Sequence, residues 1–92
     1  GPRQGVVNIA VQRQTEHGLE VVDARVEGTV KNLIQQTTPL KFIRLQEQDA
    51  IYFVANYSAG QRGLLQFEVR VQAEEGAPVH TVRFQQEFHP DE

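Results

Sequence analysis

Apolar residues recur at every second position through most of the chain, the period of a strand with one face buried. In residues 6–13, Val7, Ile9 and Val11 share one face, and Asn8 and Gln12 lie on the other. Thr15-Glu16-His17-Gly18 reads as a turn, with Gly18 free to take positive φ. Across residues 19–32, Ala24, Val26, Gly28 and Val30 point one way, and Arg25, Glu27, Thr29 and Lys31 the other. A glycine inside that strand marks a bulge or a close approach by another backbone. Residues 32–39 form a polar connection ending in Pro39, which has no N–H to give to a central ladder.

Leu40, Phe42 and Leu45 open the next strand, and Gln46-Glu47-Gln48-Asp49 reads as its hairpin turn. Good helix formers over residues 43–50 leave a short helix open there, although no capping residue precedes Ile43. Ile51, Phe53 and Ala55 alternate with Tyr52, Val54 and Asn56, so that strand is apolar on both faces and belongs in the middle of a sheet. Residues 58–63 hold two glycines and form a loop. Leu65, Phe67, Val69 and Val71 make the clearest inward stripe, opposed by Gln66, Glu68, Arg70 and Gln72. Residues 74–78 turn the chain into a last strand carrying Val82, Phe84 and Phe88. The predicted inward set is Val7, Ile9, Val11, Ala24, Val26, Val30, Phe42, Ile51, Phe53, Leu65, Phe67, Val69, Val71, Val82 and Phe84. Six or seven short strands with turn signals between them predict an all-β, immunoglobulin-like antiparallel sandwich.

The chain has 92 residues, so one domain is expected. Gly1-Pro2 reads as a protease-cleavage scar, which leaves residues 3–92 as that single domain. Nine Lys+Arg against twelve Asp+Glu give a net charge of −3, which argues against nucleic acid as a partner. Cysteine is absent, which removes disulfides, thiolate metal sites and a cysteine nucleophile. No apolar run approaches the roughly 20 residues of a membrane-spanning helix.

Candidate chemistry is sparse. His17, His80 and His89 have neither the i,i+2 nor the helical spacing of a metal site, so no metal and no cofactor are expected. Ser58, the only serine, lies outside any nucleophile-elbow pattern. The adjacent carboxylates Glu74-Glu75 and Asp91-Glu92 sit in a turn and at the terminus, and read as solvated charge. Arg25, Lys31, Arg70 and Arg83, opposed by Glu27 and Glu68, read as cross-strand pairs on a solvated face. Tyr52, Tyr57 and Asn56 are the candidate ligand-binding residues, because a phenol ring can stack on a sugar or a peptide. The residues therefore predict a non-enzymatic domain that binds a protein partner by a sheet edge or its loops. The alternative is a small-ligand or carbohydrate-binding module.

Four segments carry a resemblance: residues 5–11 (GVVNIAV), 24–33 (ARVEGTVKNL), 49–55 (DAIYFVA) and 81–88 (TVRFQQEF). Together the chain resembles an uncharacterised family of small proteobacterial proteins exported to the periplasm. The resemblance implies an immunoglobulin-like sandwich, a signal peptide and a short segment ahead of Arg3, and it brings no assigned activity. A second likeness is to periplasmic immunoglobulin-like domains of the nitrogen-fixation accessory and copper-handling type. It rests on Gly28-Thr29-Val30, Ile51-Tyr52-Phe53 and the Gly63-Leu64 to Val71 strand. Copper handling draws on Met, Cys or clustered His, of which the first two are absent and the third is scattered. If the segment ahead of Arg3 covers a sheet edge, the domain without it should self-associate by edge-strand pairing. The contact is expected to involve residues 6–13 or the last strand, 79–88.

Overall fold

Among the described residues nine strands form, and every pairing between them is antiparallel. The computed structural model describes residues 4–58 and 63–88. The strands are β1 (Gln4–Ala10), β2 (Gln12–Thr15), β3 (Gly18–Val21), β4 (Arg25–Lys31), β5 (Thr37–Leu40), β6 (Ile43–Glu47), β7 (Ala50–Ser58), β8 (Gly63–Gln72) and β9 (Val79–Phe88). They group into a three-stranded sheet β1-β7-β6, a four-stranded sheet β5-β4-β8-β9 and a two-stranded ribbon β2-β3. The result is the expected all-β sandwich, with nine strands rather than six or seven.

Two of the additional strands arise where an apolar stretch is divided. The run beginning at Val6 breaks at Val11 into β1 and β2, and the run from Leu19 breaks over residues 22–24 into β3 and β4. Val22 N–H donates to the Val11 carbonyl at 3.0 Å, which closes the base of the ribbon between those breaks. At its tip Gly18 takes φ 110°, and the Thr15 hydroxyl donates to the Gly18 carbonyl at 2.9 Å. The β2-β3 ribbon thus carries the chain from the three-stranded sheet to the four-stranded one.

Two further expectations are corrected. The helix left open over residues 43–50 is strand β6 and the start of β7, joined by a tight turn at Gln48-Asp49 in which Gln48 takes φ 36°. In that setting, pairing with β7 satisfies backbone groups that a helix of two turns would leave largely orphaned. The polar connection 32–39 contains β5, whose Pro39 is tolerated because β5 is an edge strand.

The core lies between the two sheets. Val7, Val30, Leu40, Ala55, Leu65 and Phe67 form its buried cluster, with Ile9, Phe42, Tyr57 and Phe84 packed against it. Phe53 and Val69 are buried too, Val69 completely. Leu40 and Ala55 belong to this core although the inward set omits them. Val82 corrects that set in the other direction. It sits opposite Val69 on the inner face, yet is 50 % exposed. Its facing follows the period, but three strands do not extend far enough to cover a four-stranded sheet at β9.

Gly28 does mark a close backbone approach. Its register continues unbroken to both β5 and β8, and an added Cβ would stand 2.7 Å from the Glu68 carbonyl oxygen. Phe67 holds the centre of the core. Its ring meets Tyr57 edge-on, with centroids 5.1 Å apart, and stacks on Phe84 at 4.9 Å. Phe67→Ala should therefore cost about 3–5 kcal/mol, a large part of a small domain's stability. Urea unfolding of the two proteins measures it, and an unchanged midpoint would refute this account of the core.

Candidate functional site

Strand β7 separates the three residues that the sequence offers as a ligand site. Side chains alternate across a strand, so Tyr52 and Asn56 lie on one face and Tyr57 on the other. Tyr57 faces inward. Its ring fills the space a Cβ would take at Gly5, directly opposite in the β1–β7 register, and rests against Phe67. Tyr57 is a core residue that needs a glycine across from it.

Tyr52 is half-buried on the outer face of the three-stranded sheet, between Leu45 of β6 and Ala10 of β1. Val54 lies between Ile43 and Asn8, and Asn56 opposite Val6. Val6, Ile43 and Leu45 are all exposed, which makes this outer face apolar where a solvated polar face is usual. Their alternation suits a core strand equally well, so only the register shows that they face out.

The other candidate groups do not gather. His17 is exposed in the β2–β3 turn and His80 on β9, while His89 lies outside the described residues. Ser58 is exposed at the end of β7 and Glu74-Glu75 in the β8–β9 turn; Asp91-Glu92 lie outside the described residues. Among the described residues, no three metal-ligating side chains converge, and no helix is long and apolar enough to cross a membrane.

The outer face of the four-stranded sheet carries ion pairs, of which Arg83–Glu68 and Arg70–Glu27 cross strands as expected, while Arg25–Glu27 and Arg70–Glu68 lie within one strand. Glu68 accepts from Arg70 and from Arg83, each at 3.0 Å, and Glu27 lies 3.1 Å from Arg25 and 4.0 Å from Arg70. Lys31, expected in the same ladder, makes no ion pair among the described residues. It lines a shallow cavity of about 650 Å³ together with Thr29, Thr37, Gln66, Arg83 and Gln85.

Two structural devices were not visible in the sequence. The Asn32 side-chain oxygen accepts the N–H groups of Ile34 (3.1 Å) and Gln36 (2.9 Å), and Gln35 takes φ 65°. This Asx-type turn holds Leu33 and Ile34 out in solvent. The second device is a fork between Arg44 of β6 and Asp23, ahead of β4. Arg44 Nε donates to Asp23 Oδ1 and Nη2 lies against Oδ2, both at 2.9 Å.

The most distinctive surface is β9. It runs ten residues in unbroken register with β8, and among the described residues no strand lies on its other side. The remaining sheet edges are shorter: β1 has seven residues, β6 five, and β5 four including Pro39. Between Val79 and Phe88 no proline, glycine or lysine interrupts the edge. Edges of this kind template the pairing of another strand.

Residues 1–91 match the family model described as a domain of unknown function, DUF4426. The crystal structure of a DUF4426 family protein from Pseudomonas aeruginosa superposes with a TM-score of 0.78 at 37 % identity, over 97 % of this chain and 76 % of that one. No curated protein matches the sequence.

The Asp23–Arg44 fork makes a pH prediction. The guanidinium hydrogen bonds hold the Asp23 carboxyl below the usual carboxylate range. The contact is therefore complete above that range and lost as pH falls through the depressed value. A carboxyl NMR titration should place the Asp23 midpoint below the ordinary aspartate value, and Arg44→Gln should return it to that value.

Proposed function

The chain belongs to the DUF4426 family, and we propose that it is a non-enzymatic interaction domain of an exported, periplasmic protein, which binds an extended segment of a protein partner along β9. The observation that carries this reading is the ten-residue β9 edge, paired on one side only and bordered on the inner face by half-exposed Val82. An added strand would gain main-chain hydrogen bonds from the edge, and its alternate side chains would cover Val82 and Phe84. The immunoglobulin-like assignment belongs to the same proposal. Its support is the division into sheets of four and three strands, the count of a constant-type immunoglobulin domain. The periplasmic location rests on the strand-pattern resemblance.

Selection of random decapeptides against the domain tests the edge reading. Enriched peptides should alternate apolar and polar residues and should shift the NMR resonances of β9. Val82→Lys, at a half-exposed position, should keep the melting temperature and weaken binding about tenfold or more. Peptides that shift only another surface, or no enrichment at all, would overturn it.

A second reading is a small polar ligand, and the cavity at Lys31 favours it over the divided Tyr52–Asn56–Tyr57 set. The Lys31 ammonium and the threonine and glutamine groups around it suit an acidic sugar, the Glu68 carboxylate of the same cavity being held by Arg70 and Arg83. Glucuronate should shift the Lys31 and Gln66 resonances, and should not do so in Lys31→Ala. No shift at millimolar sugar would remove this reading.

A further inference from the structure

We infer that the segment seated on β9 is β9 of a second copy of this chain, antiparallel and centred on Phe84. The inference rests on the reading of β9 as a binding edge and names its partner. Residues directly opposite in an antiparallel pair share a face of the sheet. A strand pairing symmetrically with itself therefore has one residue opposite its own copy.

Charge and overlap select that residue. Within Val79–Phe88 only two registers align nine residues of each copy: residues 79–87 centred on Arg83, and residues 80–88 centred on Phe84. The first sets Arg83 against Arg83, a like-charge pair directly opposite, which is destabilising. The second sets Arg83 against Gln85, Thr81 against Glu87 and Val82 against Gln86, with no like charges opposed. Centring on Gln85 would oppose Arg83 and Glu87 twice, but it aligns only residues 82–88. Arg83 already has Glu68 at 3.0 Å, and an exposed ion pair adds little.

The Phe84 register also continues a structure already present. Tyr57, Phe67 and Phe84 form a row of rings, with Phe67 and Phe84 stacked 10° from parallel. Phe84 opposite Phe84 joins two such rows through a cross-strand aromatic pair. The two four-stranded sheets become one of eight strands, β5-β4-β8-β9 meeting its own image across a two-fold axis.

The protein has no cysteine, so introduced thiols report the register without background. Directly opposite residues have Cα atoms roughly 4.5–5.5 Å apart, within disulfide reach. Arg83 and Gln85 are both exposed on the outer face, and neither substitution disturbs the core. An equimolar mixture of Arg83→Cys and Gln85→Cys proteins, oxidised with glutathione disulfide, should give the mixed dimer in large excess over either homodimer. Sedimentation of the unaltered chain should show a concentration-dependent dimer of the 10.4 kDa protomer. Dominant Gln85→Cys homodimer or Arg83→Cys homodimer would overturn the inference, and so would a monomer at millimolar concentration. If the chain is monomeric while selected peptides still shift β9, only the self-pairing fails. If peptides leave β9 untouched as well, the edge reading falls with it.

Discussion

A three-stranded sheet laid on a four-stranded one cannot cover it, and most features of this molecule follow from that mismatch. The strands that lie under the smaller sheet contribute Val30, Leu65, Phe67 and Val69, all buried. The strand beyond its margin contributes Val82, which has the same facing and half the cover. Phe84 marks the transition, half-buried and anchored by its stack on Phe67. A β-sandwich stabilises itself by burying the inner faces of both sheets. Here the burial stops one strand short, and the uncovered strand is also the longest edge.

The link between the sheets is local and sterically exact in its demands. Tyr57 reaches from the smaller sheet to Phe67 of the larger, and it can do so because Gly5 leaves room for its ring. Gly28 does the same work on the other side, letting β8 approach closely enough for Val69 to be fully enclosed. Each glycine is useful for the side chain it lacks. Larger residues would lift the Tyr57 ring or push β8 outward, and interiors packed at crystal density give little room for either.

How much of this was legible in the sequence depended on whether the information was local. The two-residue period revealed the facing of β1, β4, β7 and β8, because both faces of a half-buried strand leave their mark on neighbouring residues. Cover is not local. Ile43 and Leu45 alternate as core residues do, yet β6 turns them outward, and Val82 alternates correctly without being enclosed. Strand β5 was hidden for the opposite reason, since only Leu40 of its four residues is buried and the others are two threonines and a proline. The candidate trio on β7 is divided between two faces by parity alone: Tyr52 and Asn56 are an even number of positions apart, and Tyr57 is odd to both. The Gly5–Tyr57 pairing needed the β1–β7 register, which no local pattern encodes.

An open edge is a hazard as well as a binding surface, because unpaired strands promote open-ended association. Symmetry decides which outcome follows. A head-to-tail contact leaves a fresh edge on every added copy and grows without limit, whereas an isologous contact uses the same edge from both copies and stops. Pairing β9 with β9 is of the second kind. The outermost strand at each end of the joined sheet would then be β5, four residues long and interrupted by Pro39, which offers no N–H at that position. The edges of the smaller sheet, β1 and β6, have seven and five residues against the ten of β9. Of the sheet edges among the described residues, β9 is the longest, and pairing it with itself would close the joined sheet at that edge rather than extend it.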